Sequence, residues 1–181
     1  MALTPSNMLP LGTKAPDFEL LDTKNNKICS LEELKSTKAT VIMFICNHCP
    51  YVKHIQRQLI QLAKDYQPKG IAFIAINAND VIKYPEDAPK EMAKHTYPFP
   101  YLYDESQITA KAYEAACTPD FYIFNKDLLC VYRGQLDDSR PGNKIPVTGN
   151  SLRAALDNLI TEKPVDYNQK PGIGCSIKWK Y

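Results

Sequence analysis

Residues 41–66, VIMFICNHCPYVKHIQRQLIQLAKDY, constrain the fold more tightly than any other stretch of this chain. The run Val41, Ile42, Met43, Phe44, Ile45 is apolar throughout, as in a central strand of a parallel sheet covered on both faces. The turn from Asn47 to Pro50 breaks it. Beyond the turn Val52, Ile55, Leu59, Leu62 and Tyr66 recur at steps of three and four, with Lys53, Gln56, Arg57, Gln61 and Lys64 between them. That spacing predicts a helix with one buried face. A second apolar run, IAFIAIN at 71–77, completes a βαβ unit with a right-handed crossover, so the sheet is at least partly parallel.

The same stretch carries chemistry. Pro50 suits the first helical position, because the amide hydrogen it lacks would have no intrahelical partner there. Cys49 then falls at the N-cap, facing unpaired backbone amides and the positive end of the helix dipole, which should pull its pKa below the free value of about 8.5. Cys46 precedes it in a Cys-x-x-Cys spacing.

Charge narrows the partners. With 22 basic and 20 acidic residues among 181, the net charge is +2, which gives no footprint for nucleic acid or an anionic membrane surface. Residues 1–11 lack a cationic start followed by a long apolar core, and no later run approaches the roughly 18 apolar residues of a membrane span. A cytoplasmic location with no membrane association is therefore expected. Thiols stay reduced there, so six cysteines point to catalysis, metal binding or burial rather than a disulfide scaffold.

The rest of the chain reads as a frame around the turn. Residues 12–29 form a hairpin, and Ser30 with Glu33 makes a capping box for a short helix to about residue 35. Cys29 and Cys130 read as buried hydrophobes. Residues 78–100 look like an insertion over the sheet, in which Pro85, Pro89, Pro98 and Pro100 confine any helix to 86–96. A strand at 100–104 and a helix at 106–116 follow, the helix with Ile108, Ala112 and Ala115 on one side. After Cys117, Thr118 and Pro119, strands at 120–124 and 128–133 pair through a short turn. A loop carrying Asp137, Asp138 and Arg140 leads to a last helix ending near 161, capped by Asn150 or Ser151. Residues 162–181, with Pro164, Pro171, Gly172 and Gly174, read as a tail rather than an element. The expected organisation is one domain over 1–161 and a tail over 162–181.

This order of elements, with Gly12-x-x-Ala15-Pro16-Asp17-Phe18-x-Leu20 at the start, Cys46-Asn47-His48-Cys49-Pro50 at the turn and Thr118-Pro119-Asp120-Phe121 before the hairpin, resembles the thioredoxin-like superfamily, in its AhpC/TSA (peroxiredoxin) and TlpA-like branch. The resemblance spans about residues 12–161. It implies an α/β, thioredoxin-like fold: a central mixed sheet flanked by helices, with an N-terminal hairpin and a C-terminal tail. It also implies that Pro119 is cis and that Thr118 and Pro119 lie against the redox turn, offering backbone to an extended substrate. Cys117 would come near Cys49 as well.

Two registers compete for the nucleophile. Read directly, Cys46-x-x-Cys49 is a thioredoxin-type pair whose upstream cysteine attacks. Aligned by the strand's phenylalanine, Cys49 takes the place of the family's first cysteine. The helix start favours the second register, with Cys49 as nucleophile and Cys46 as its partner. His48 either adds positive charge and shuttles a proton or is an exposed loop histidine.

The function expected is thiol-disulfide exchange without a cofactor, the partner being a protein disulfide or a thioredoxin-type reductant. Thiol-dependent peroxidase activity is the first alternative. Peroxidases of the branch carry threonine or serine three residues before the reactive cysteine and proline four before that, and here Cys46 and Ile42 stand in those places. Metal binding is a second alternative, through Cys46, His48 and Cys49 with Cys117 and Cys175 brought in by the fold, although no second spaced ligand pair is present and no metal is expected. A scaffold that only binds a partner is a third. Cys117 and Cys175, the latter in a tail made bendable by Gly172 and Gly174, are auxiliary redox candidates: some relatives resolve their intermediate with a tail thiol, within one chain or across a homodimer. An idle terminus is the other reading.

Overall fold

The apolar run at 41–45 becomes an interior strand of a seven-stranded sheet. In chain order the elements are β1 (Leu3–Pro5), β2 (Glu19–Asp22), β3 (Lys27–Ser30), α1 (Leu31–Leu34), β4 (Ala39–Phe44), α2 (Pro50–Tyr66), β5 (Ile71–Asn77), α3 (Pro89–Met92), β6 (Tyr101–Tyr103), α4 (Ile108–Ala112), β7 (Cys117–Thr118), β8 (Asp120–Asn125), β9 (Cys130–Gly134), α5 (Asn150–Ile160) and β10 (Ile173–Ser176). This computed structural model describes residues 3–181, so the first two residues of the N-terminal stretch weighed for a leader lie outside it.

The large sheet has the order β3-β2-β6-β5-β4-β8-β9. β4 pairs parallel with β5 and antiparallel with β8, β6 is parallel to β5, and the outer pairs are antiparallel, so the sheet is mixed. Its side chains alternate between two cores, as the pleat requires. Val41, Met43 and Ile45 join the buried face of α2 (Val52, Ile55, Leu59, Leu62, Tyr66) and Leu152 and Leu156 of α5. Ile42 and Phe44 face the other way, onto Leu20, Leu31, Tyr113 and Tyr122. Burial of such a side chain contributes about 1.5–3 kcal/mol, and two covered faces hold β4 and the turn that follows it in one place.

Several expectations need correction. The insertion holds only a 3-10 turn at Pro85–Asp87 and the four-residue α3, because Pro89 cannot continue a helix begun at 86. The helix expected at 106–116 shrinks to Ile108–Ala112, and Ile108 is exposed. Neither Asn150 nor Ser151 caps α5. Gly149 stands at the N-cap with positive φ, and the buried Asp137 carboxylate accepts from the Thr148 and Gly149 amides at 2.8 and 2.7 Å, so a side chain from the preceding loop does the work. Cys29 is half-buried, whereas Cys130 lies in the core. The capping box at Ser30 and Glu33 forms as read.

The tail differs most. It supplies β10, which lies between β1 and β7 in a separate three-stranded sheet. Beyond that strand the Ile177 amide donates to Ala116 O, the Lys178 amide to Asn79 Oδ1 and the Lys180 amide to Gln107 Oε1. Among the described residues no helix is long and apolar enough to cross a membrane.

Candidate active site

Where β4 ends, the Ile45 amide still donates to Ile76 O at 3.0 Å, after which the chain leaves the sheet and turns into α2. Cys49 is the N-cap of that helix, extended in backbone (φ −67, ψ 124), with Pro50 at the first helical position and the Lys53 amide closing the first helical bond on Cys49 O. The helix phase thus placed the sulfur correctly. Cys49 is completely buried.

Four donors surround its sulfur. The thiol of Cys46 lowers the Cys49 pKa most, burial opposes it, and the thiol of Cys175, the Val52 amide and the Cys175 amide lower it further, leaving it at about 4. The Val52 amide faces the sulfur without closing a cap hydrogen bond, and the two thiols lower the pKa more than the amides do. Cys175 Sγ lies 2.8 Å from Cys49 Sγ. With Cys49 ionised, Cys175 is the donor in that contact. The cost falls on the neighbours: Cys46 is held far above the ordinary thiol range by its bond to Cys49, by burial and by the charge of Asp87. Burial and the Cys49 sulfur push Cys175 up to about 12.

The peptide bond before Pro119 is cis, and Thr118 sits directly against the cysteines. Its hydroxyl is 3.4 Å from Cys46 Sγ and its carbonyl oxygen 3.3 Å from Cys49 Sγ. β10 is antiparallel to this segment, with Cys175 opposite Thr118 and Ser176 opposite Cys117. Gly174 is what permits the approach, since a Cβ there would stand 2.0 Å from Thr118 O. The structure therefore gathers Cys46, Cys49, Cys175 and Thr118 into one cluster. Cys117 lies beside the cluster, its thiol 3.7 Å from Pro119 O and raised by burial and by Asp120.

His48 is no free loop residue. Its Nδ1 is 2.5 Å from Asp87 Oδ2, its ring stacks on Tyr84 at 5.1 Å between centroids, and its pKa is raised, chiefly by Asp87. Asp87, fully buried, also accepts from the Asn47 amide at 2.6 Å and from Asn79 Nδ2 at 2.9 Å. Burial pushes this carboxyl up, but the donations from His48, Asn79 and Asn47 outweigh it and hold the pKa below the usual range. Sequence reasoning missed Asp87, because its spacing from the turn carries no signal until the insertion is folded over the sheet. It also missed Asp120, buried beneath Cys117, where burial raises the carboxyl to about 7.

Donor atoms of Cys46, His48 and Asp87 lie within 4.8 Å of one another. Both Asp87 oxygens are already engaged, and Cys117 and Cys175 fall outside this group, so the arrangement works as a hydrogen-bonded network around a thiolate. Chemically it offers one ionised sulfur poised between two protonated ones.

Comparison with known proteins bears on the family and the fold. The AhpC/TSA family profile matches residues 11–133. No curated protein matches the chain. The uncharacterized conserved protein from Geobacillus kaustophilus is 63% identical, with a TM-score of 0.98 over 99% of this chain and 97% of that one. A hypothetical protein from Sinorhizobium meliloti is 45% identical, with a TM-score of 0.94 over 98% of each chain. The thioredoxin domain of a thiol-disulfide oxidoreductase from Bacteroides vulgatus is 16% identical, with a TM-score of 0.60 over 72% of this chain and 91% of that one. At that identity the likeness is one of fold, and the fold is thioredoxin-like.

Proposed function

The chain belongs to the AhpC/TSA family, and from that premise and the thiol cluster we propose that it is a thiol-disulfide oxidoreductase. One observation carries the reading: the low-pKa sulfur of Cys49 stands at a helix N-terminus between two thiols. Its thiolate attacks one sulfur of a substrate disulfide, a mixed disulfide forms, and the other substrate sulfur leaves as thiolate. A neighbouring thiol then attacks Cys49 Sγ, closes an internal disulfide and expels the second substrate thiolate. Cys46 takes this part from the turn, and Cys175 is the auxiliary candidate from the tail. A protein disulfide or a thioredoxin-type reductant is the partner, and the six free thiols suit a reducing compartment such as the cytoplasm. The 2.8 Å approach of Cys175 within one chain supports an intrachain route over a homodimer.

Peroxide reduction is the weaker reading, since Cys46 and Ile42 stand where a peroxidase of this branch would carry threonine or serine and proline. Stopped-flow rates decide between them. The reduced protein is expected to exchange with a small disulfide faster than it consumes hydrogen peroxide, and Cys49→Ser to lose exchange by about 10³-fold or more. Peroxide turnover that outpaces exchange and depends on Cys49 overturns the assignment.

A further inference from the structure

We propose that Asp87 is a positioning residue for His48, and that His48 carries the proton of Cys46 when that thiol closes the disulfide with Cys49. The inference rests on the exchange reading above and adds to it the group that speeds the second step.

The two cysteines differ in what they need. Cys49 is ionised at neutral pH and attacks without help. In the reduced protein Cys46 is held as a thiol by its bond to Cys49, by burial and by Asp87; in the mixed disulfide the Cys49 contribution is gone, but burial and Asp87 still hold the proton, so a base that takes it speeds the attack. His48 is built for that. Asp87 is ionised and can only accept, so the hydrogen of His48 sits on Nδ1, 2.5 Å from the carboxylate. In the neutral ring, the form that prevails on the alkaline side of the pKa that Asp87 raises, Nε2 is an acceptor, and it is buried without a hydrogen-bond partner. An orphaned buried acceptor is costly and calls for an explanation. A vacant proton site one or two residues from two redox cysteines supplies one.

The surroundings hold this arrangement. The Tyr84 stack fixes the ring plane, and the bonds from Asn47 and Asn79 fix the carboxylate. A ring nitrogen of His48, an oxygen of Asp87 and the sulfur of Cys46 lie within 4.8 Å of one another, within the span of a relay through one water. The charged and titratable groups facing His48 are Asp87, Glu86, Lys178 and Tyr84. Those facing Cys46 are Cys49 and Asp87, with Tyr97 and Tyr101 nearby.

The step balances. The Cys46 sulfur attacks Cys49 Sγ, the Cys46–Cys49 bond forms, and the bond from Cys49 to the substrate sulfur breaks. Cys46 is oxidised and the substrate sulfur is reduced to thiolate. The proton passes from Cys46 to His48, beside Asp87, and from there to the departing thiolate.

Dipyridyl disulfide, with the full-length Cys175→Ser protein, separates the two steps: the first coloured thione released reports attack by Cys49, the second closure by Cys46. Asp87→Asn is expected to slow the second release relative to the first by about 10²-fold; its pH midpoint moves down because Asp87 raises both His48 and Cys46, so the slowing, and the His48→Gln profile, carry the test of the histidine. His48→Gln is expected to move that midpoint up, toward the ionisation of Cys46 itself. An unchanged pH profile of the second release in both variants, or equal slowing of both releases, overturns the proposal and leaves Asp87 as a clamp on the turn. Should Asp87→Asn fail to fold, the His48→Gln profile decides alone. A second release that persists in Cys46→Ser instead defeats Cys46 as the resolving thiol, whatever Asp87 does.

Discussion

Cys46 and Cys175 both reach the Cys49 sulfur, and they are held there by different means. Cys46 is three residues away, at the exit of a strand buried on both faces, braced by Thr118 Oγ1 at 3.4 Å. Cys175 is separated by 126 residues and arrives on a short strand whose ladder to β7 spans two residue pairs. The turn thiol sees an anion, Asp87, which raises it further; the tail thiol sees the cation of Lys178, which lowers it. Holding a thiol through a local turn costs little chain entropy, whereas holding one through a long loop requires the strand contacts that close it. One sulfur is therefore a fixed part of the site and the other is only as secure as β10.

Gly174→Val should break the comparison most visibly. The new side chain meets the Thr118 carbonyl oxygen and must push β10 away, an overpacking cost of about 1–3 kcal/mol measurable by urea unfolding. On mild oxidation, mass spectrometry should find the Cys46–Cys49 bridge retained and the Cys49–Cys175 bridge slowed. A Cys49–Cys175 bridge that forms at the wild-type rate would mean that the strand does not deliver the tail thiol.

Asp120→Asn sharpens the same comparison with a smaller effect. Asp120 accepts from Ser6 Oγ at 2.7 Å, and Ser6 in turn holds Gly172 through its amide and hydroxyl, so this carboxyl anchors the tail. Burial raises its pKa to about 7. A raised carboxyl contributes stability that is full below its unfolded value and is lost as pH climbs through about 7. The variant lacks that loss, so its stability relative to wild type should improve between pH 4 and pH 7 and then level off. A difference that stays flat across this range would place the charge of Asp120 elsewhere.

The parts of the site fixed by local periodicity were legible in the sequence. Cys49 at the N-cap followed from Pro50 and the phase of Val52, Ile55 and Leu59, and the mixed sheet followed from the apolar runs and the short turn between β8 and β9. The parts made by long-range packing were not. Cys175 could be weighed as a redox thiol, but four residues that include Gly174 and follow Pro171 and Gly172 do not announce a strand, and β10 exists only because β1 and β7 present edges on both sides. Asp87 sits between prolines in a segment without periodicity, and its role appears only when the insertion lies over Asn47 and His48. Ile108, which helical spacing groups with Ala112 and Ala115 on one side of a longer helix, opens a helix of only five residues and is exposed.

The central claim is that Cys49 is an ionised nucleophile whose charge is held by the two neighbouring thiols. Thiolate absorbance followed against pH, as the difference between wild type and Cys49→Ser, tests it directly, and it needs no reagent to enter the buried site. The titration is expected near pH 4, moving upward in Cys46→Ala and by less in Cys175→Ala, in the order of their influence on the sulfur. A midpoint near the free-thiol value of about 8.5, indifferent to both substitutions, would contradict the account.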